Sequence, residues 1–155
     1  MYGSKLRTST WVSSNGNLQF GNAPSSTWSN TCLPTTTGSA LAGPTVFAYW
    51  DDILIRPQAT SGDGVFTKVS GTTGHRRFII NWKGVLFNNA DYPVRAEVVF
   101  FEGKPYFETR YAAGDGADAT IGIENAFQTD ATQWSCNDAV TAPDPGQSLR
   151  FTYSP

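Results

Sequence analysis

The stretch VRAEVVFFEGKPYFETRYAA, residues 94–113, decides the fold because apolar and polar residues alternate through most of it. Successive side chains of a β-strand point to opposite faces, so this alternation predicts strands with one buried face. The two alternating runs, 94–103 and 104–113, meet at Gly103, a residue suited to a tight turn. We therefore predict two antiparallel strands joined as a hairpin.

Similar runs lie on both sides of this hairpin. GVFTKVSG (64–71) and HRRFIINWKGVLF (75–87) predict a second hairpin, joined by a short Thr-Thr-Gly turn. Shorter runs complete the pattern: NGNLQFG (15–21), ATIGIENA (119–126) and SLRFTYS (148–154). We find no helical stretch of ten residues, so the sequence predicts an all-β protein, an antiparallel β-sandwich of about eight short strands.

The composition agrees with this fold class. The chain has 155 residues, the length of one ordinary domain, with 15 Gly, 9 Pro and 14% aromatic residues but only 15% charged residues. Glycine and proline favour turns, and aromatic residues favour strands. We predict a single domain over residues 1–155, with a long ordered loop at 22–44 and an irregular C-terminal segment at 127–147.

The charge pattern argues against nucleic acid as a partner. The formal net charge is -2, and the Lys and Arg residues are scattered singly along the sequence, apart from Arg76 and Arg77. Such a pattern predicts no basic surface for a phosphate backbone. No apolar run approaches the roughly 20 residues that a membrane-spanning helix needs, so we expect the protein not to be membrane-embedded.

Two cysteines lie far apart in the chain. Cys32 lies in SNTCLP and Cys136 in QWSCND, polar segments in which a free thiol would be exposed. We predict a disulfide between them, the alternative being two free buried thiols. A disulfide implies an oxidising compartment, and hence a secreted protein or one at the cell surface.

The segment TVFAYWDDILIRP, residues 45–57, places two carboxylates inside an apolar run. Because Asp51 and Asp52 are adjacent in a strand, at least one of them must face the same side as the apolar residues. Adjacent carboxylates at a strand end offer hard oxygen ligands to Ca²⁺. The alternative is that Trp50 belongs to the core while the carboxylates pair with Arg56, Arg76 or Arg77.

A second acidic segment is AAGDGADAT, residues 112–120. Asp115 and Asp118 flank glycines there, which is compatible either with a calcium-binding loop or with a plain turn. If calcium is bound, the predicted ligands are Asp51, Asp52, Asp115 and Asp118, and Ca²⁺ is the only cofactor that the sequence suggests.

Aromatic residues outside the predicted core are candidates for ligand binding. Trp28, Tyr92 and Trp134 lie in loops or at strand ends, where an exposed ring can stack on a sugar or anchor a protein partner. Trp28 and Trp134 each lie within four residues of a cysteine, so the alternative is that they cover the disulfide.

Catalysis has little support in the sequence. The single histidine, His75, lies in a predicted turn, and no nucleophile or metalloprotease motif is present. Glu97 and Glu108 lie on paired strands and could face each other across about 5 Å, as in a glycosidase. Their alternation with Arg95 and Arg110 instead favours a cross-strand ladder of charges. We predict that the protein is not an enzyme.

Taken in order, NGNLQF, YWDDI, GVFTKVSG, RRFIINW, AEVVFFEG, YFETRY and ATIGIENA resemble the pattern of nidogen-like extracellular domains and of related β-sandwich modules in bacterial and fungal surface adhesins. The resemblance covers roughly residues 11–126. It implies a non-catalytic extracellular module, often one unit of a larger adhesin or matrix protein.

The sequence therefore suggests an adhesion module that binds carbohydrate, or a cell-wall or matrix component, through loops at one end of the sandwich. The alternative is a structural or protein-interaction module without a small-molecule ligand. A glycan-active enzyme is the third hypothesis.

Overall fold

The computed structural model describes residues 7–21, 25–36, 41, 43–114 and 118–152. Its elements in chain order are β1 (Trp11–Val12), β2 (Asn17–Gln19), β3 (Thr45–Trp50), β4 (Ile53–Leu54), α1 (Gln58–Ser61), β5 (Gly64–Ser70), β6 (Arg77–Leu86), β7 (Pro93–Phe101), β8 (Tyr106–Ala113), β9 (Thr120–Glu124), β10 (Ala131–Cys136) and β11 (Ser148–Thr152).

The strands form two antiparallel sheets, as predicted. Sheet one has the order β1-β2-β3-β9-β10. Sheet two has the order β11-β8-β7-β6-β4, and β5 pairs with β6 beside β4. The prediction of an all-β sandwich is confirmed, although the described residues form eleven short strands where the sequence suggested about eight.

The core lies between the two sheets and follows the alternation of the strands. In β7, the residues that alternate inward from Val94 to Val98 are buried, and their neighbours on the outer face are more polar. The two predicted hairpins supply the centre, with β6 paired to both β5 and β7. The core therefore forms from the stretch with the clearest period-two pattern.

Two buried polar side chains connect sheet two to sheet one and to the β1–β2 connection. The Tyr111 hydroxyl of sheet two donates to the Ala48 carbonyl of sheet one at 2.8 Å. The Trp82 indole Nε1 donates to the Ser13 carbonyl at 2.8 Å. Because buried donors without acceptors are costly, these hydrogen bonds help to specify how the sheets are placed against each other. Burial raises the pKa of Tyr111 well above its usual range, so its hydroxyl is a donor at every physiological pH.

A β-bulge in β3 explains how TVFAYWDDILIRP buries residues on both faces. The backbone N–H groups of Ala48 and Tyr49 both donate to the Gly16 carbonyl, at 3.0 Å each. The extra residue places Phe47 and Trp50 on the same side of the strand, opposite Gly122 and Thr120 of β9. Trp50 is buried as predicted, but on the outer face of sheet one.

The segment 127–147, expected to be irregular, contains β10. This strand pairs with β9 and is interrupted by a bulge between Gln133 and Ser135. Its sequence, ATQWSC, shows no apolar alternation because β10 is an edge strand with mostly exposed side chains. A polar edge strand with a bulge lacks the pattern by which strands are predicted.

One carboxylate joins the two predicted hairpin turns. Glu102 accepts hydrogen bonds from the backbone N–H groups of Gly74 and Arg76, and it forms an ion pair with the Arg76 guanidinium at 2.6 Å. These hydrogen bonds, led by that of the Arg76 side chain, lower the pKa of Glu102 from 4.5 to about 2.

This shift predicts how the stability of an E102Q variant depends on pH. Stabilisation by a carboxylate with a lowered folded-state pKa is complete above its unfolded value and is lost as the pH falls through its folded value. We expect E102Q to melt below the wild type at neutral pH, and the difference to shrink between pH 4.5 and about 2. The melting temperatures of both proteins, measured from pH 7 to about pH 2, test this prediction. A melting-temperature difference that did not change with pH would contradict it.

Candidate functional site

Residues 25–36, which we call the strap, cross the outer face of sheet one without forming a helix or strand. A second apolar cluster, formed by Leu41, Phe47 and Trp50, lies beneath the strap, and Leu33 of the strap packs against it. The Trp50 indole Nε1 donates to the Thr27 carbonyl at 3.0 Å. The strap therefore covers apolar side chains that the β3 bulge turns away from the main core.

The predicted disulfide between Cys32 and Cys136 is present and joins the strap to the end of β10. Hydrogen bonds reinforce this connection on both sides. Asn30 Nδ2 donates to Asn137 Oδ1 at 2.9 Å and also to the backbone carbonyl of Asp118. Leu33 N donates to Gln133 Oε1 at 2.7 Å. These contacts order the strap although it has no regular secondary structure.

A buried carboxylate holds the other end of the strap. Glu124 accepts hydrogen bonds from the Thr35 backbone N–H at 2.8 Å and from the Thr35 hydroxyl at 2.9 Å. Burial raises the pKa of Glu124, and the two hydrogen bonds from Thr35 offset part of that effect. Glu124 therefore has a structural role at the outer face of sheet one.

The three predicted aromatic residues are all exposed but lie on different elements. Trp28 is on the strap and is 61% exposed, while Tyr92 precedes β7 and is 44% exposed. Trp134 is on β10 and is 46% exposed. No two of these rings pack together in the part of the chain that the structure describes. They do not form one aromatic platform.

Trp134 lies beside a cleft between the edges of the two sheets. β10 ends the order of sheet one and β11 ends that of sheet two, and the space between them has a volume of about 460 Å³. The lining side chains combine the Trp134 ring with hydroxyl, amide and guanidinium groups from Thr132, Gln133, Gln147 and Arg150. The arrangement can hold a polar ligand with an apolar surface.

Sequence reasoning identified Trp134 but missed the rest of this cleft. Arg150 projects from β11, and its guanidinium lies 4.3 Å from the centre of the Tyr106 ring while pairing with Glu108 at 2.8 Å. Gln133 was missed because β10 was not predicted as a strand. The alternation in SLRFTYS could have indicated Arg150, since it places this residue opposite Leu149 and Phe151.

Three of the four predicted calcium ligands, Asp51, Asp52 and Asp118, lie near one end of the sandwich. Asp51 and Asp52 follow β3, whose last residue, Trp50, pairs with Thr120, and Asp118 lies two residues before Thr120, the first residue of β9. Asp51 Oδ1 accepts a hydrogen bond from the Asp52 backbone N–H at 2.7 Å. Within the described ranges, no three His, Cys, Asp or Glu side chains lie close enough together to hold a metal ion.

Asp115, the fourth predicted calcium ligand, lies outside the described residues, and calcium binding stays a prediction.

Two of the arginines considered as partners for the Asp51–Asp52 pair form ion pairs with other carboxylates. Arg56 pairs with the buried Asp63 at 2.7 Å, and Arg76 pairs with Glu102.

The Glu97 and Glu108 carboxylates lie in the predicted ladder of charges. Arg110 contacts Glu97 at 3.5 Å and Glu108 at 2.9 Å, so a guanidinium lies between the two carboxylates. Hydrogen bonds from Arg150 and Arg110 lower the pKa of Glu108. A glycosidase needs one carboxyl group with a raised pKa to act as the general acid, and Glu108 is shifted in the opposite direction.

Comparison with known proteins gives a family for the whole chain. The family described as NIDO related, that is nidogen-related, matches residues 1–153. No curated protein and no solved structure gives a significant match. The helix in the described part of the chain is far too short to cross a membrane.

Proposed function

This chain belongs to the nidogen-related family, and from that membership we propose that it is an adhesion module that recognises carbohydrate through the cleft beside Trp134. The family and the Cys32–Cys136 disulfide indicate an extracellular binding module. The carbohydrate ligand, the cell-surface or secreted location and a place within a larger adhesin or matrix protein are parts of the proposal.

The observation that carries the proposal is the position of the Trp134 ring. Trp134 occupies the β10 bulge, and its indole Nε1 donates to the Thr141 carbonyl at 2.8 Å, which fixes the orientation of the ring. An exposed aromatic ring held in one orientation can stack on the apolar face of a sugar with little loss of side-chain entropy.

Amide groups around the ring are suited to sugar hydroxyls. Gln133 Oε1 accepts from the Leu33 backbone and Gln147 Oε1 accepts from the Asp144 backbone, so both amides are oriented by the protein. In the described part of the chain, no hydrogen bond uses the Nε2 group of either residue, which leaves two donors for a ligand. Fixed polar groups around an apolar contact are the usual composition of a small-ligand site.

A glycan array read with three variants tests this proposal. We expect W134A to weaken binding to the glycans that the wild type recognises by about tenfold or more, as for a central aromatic contact. W134F keeps a ring in the cleft and should retain more binding than W134A. W28A is the matched control, because it removes an exposed tryptophan outside the cleft.

Other results would overturn the proposal. Loss of glycan binding in W28A but not in W134A would place the site on the strap. A blank array, together with self-association of the wild type in sedimentation, would support the alternative of a structural or protein-interaction module.

A further inference from the structure

The outer face of sheet two collects basic residues that are dispersed in the sequence. Strand alternation and register place six of the eleven Lys and Arg residues there, which we call the basic face: Lys68, Arg77, Lys83, Arg95, Arg110 and Arg150. The same strands present only Glu97 and Glu108 as carboxylates on this side. The basic face thus has four positive charges in excess, although the whole chain has a net charge of -2.

Four of these cations have no acidic partner. Arg110 and Arg150 account for the ion pairs with Glu97 and Glu108. Across the residues that the structure describes, no carboxylate lies within the 4.0 Å ion-pair distance of the other four, Lys68, Arg77, Lys83 and Arg95.

Two of the four unpaired cations are direct neighbours. Lys83 of β6 lies opposite Arg95 of β7 in the antiparallel register. Like charges directly opposite each other are unfavourable in an isolated sheet, and an anion bound between them would remove the repulsion. Lys83 Nζ also donates to the Ser61 carbonyl at 3.5 Å, and Arg95 Nη1 donates to the Gly84 and Val94 carbonyls at 2.7 Å. An anionic group would therefore bind the remaining donors of this pair.

The basic face is broad and open. Arg77 and Lys83 are six residues apart on β6, which corresponds to about 20 Å along the strand. Lys68 on β5 and Arg150 on β11 are four strand spacings apart, or about 19 Å across the sheet. The strap covers the outer face of sheet one, whereas the side chains of Lys68 and Arg77 are exposed. An extended chain can lie across such a surface.

We propose that the basic face binds an extracellular polysaccharide that carries carboxylate or sulfate groups. Charge complementarity requires a polyanion, and the disulfide and the family place the module outside the cell. Phe66 and Asn81 are paired neighbours between the cations, and they offer a partly exposed ring and an amide to the sugar units. The basic face shares only Arg150 with the Trp134 cleft, and the proposal does not depend on the Trp134 ring.

Salt-dependent binding of defined polymers tests the proposal. The probes are heparin, polygalacturonate, uncharged dextran and single-stranded DNA. We expect heparin or polygalacturonate to bind and dextran not to bind. If four cations each release about 0.7 counterions, as with a flexible polyanion, the slope of log affinity against log salt is roughly -3.

Matched charge reversals locate the binding surface. K68E removes a cation from the basic face, and K104E makes the same change of charge at the exposed β7–β8 turn. We expect K68E to weaken binding by about fivefold or more at low salt and to reduce the slope by about 1, with a smaller effect from K104E. K83Q relieves the repulsion with Arg95, so it should weaken binding without lowering the melting temperature.

Three results would overturn the proposal: no binding of either acidic polysaccharide, equal effects of K68E and K104E, or tighter binding of the single-stranded DNA than of both polysaccharides. W134A should leave polyanion binding unchanged. The failure of this proposal is therefore distinguishable from the failure of the proposed function of the cleft.

Discussion

A C32S/C136S variant is expected to have a free energy of unfolding about 4 to 5 kcal/mol below that of the wild type, as the chain-entropy model gives for a loop of roughly 100 residues. The disulfide joins residues separated by 104 positions in the sequence. Without it, the unfolded chain gains conformational freedom and the strap keeps only its hydrogen bonds and apolar contacts. Guanidinium unfolding at equilibrium measures the difference.

The reduced and alkylated wild type provides an independent comparison. It should unfold at a denaturant concentration close to that of the double variant, since both lack the same covalent bond. Small domains have about 5 to 15 kcal/mol of stability, so a loss of this size is a large part of the total. A loss below about 1 kcal/mol would show that the disulfide contributes little to folding.

The second large effect is expected for W82A, with a loss of about 3 to 5 kcal/mol, the range for truncating a buried aromatic residue. Trp82 is 0% exposed and lies in the main core between the sheets. Its removal leaves a cavity and also leaves the Ser13 carbonyl without its hydrogen bond from Nε1. Equilibrium unfolding in urea measures this loss of unfolding free energy, with the dependence on urea concentration fitted for each variant.

W28A is the matched control, because Trp28 is 61% exposed on the strap. Its loss of stability should stay within about 0.5 kcal/mol, as for most surface substitutions. Similar losses for W82A and W28A would contradict the assignment of Trp82 to the core.

Much of the fold could be predicted because the central strands are amphipathic. Buried and more exposed residues alternate through β8 and through most of β6 and β7, so periodicity indicates the faces of these strands. The prediction failed for β10, whose polar side chains show no such period. Trp50 was predicted to be buried, but a bulge that depends on Gly16, distant in sequence, decides which face it occupies.

The candidate sites were predicted less completely, for a physical reason. Cys32, Cys136 and Trp134 could be identified from their local sequence context. The cleft depends on which strands end each sheet, and the basic face depends on register across five paired strands. Those are long-range properties that no single segment of the sequence contains. Lys83 and Arg95, for example, are neighbours only because β6 and β7 pair in one particular register.

The disulfide also determines how the module responds to mechanical force. When the two chain ends are pulled apart, the tension passes through the Cys32–Cys136 bond and bypasses every residue between them. Only the segments before Cys32 and after Cys136 can be extended, and these contain β1, β2 and β11. The strands from β3 to β10, with both hairpins and most of the basic face, are shielded from the load while the bond is intact.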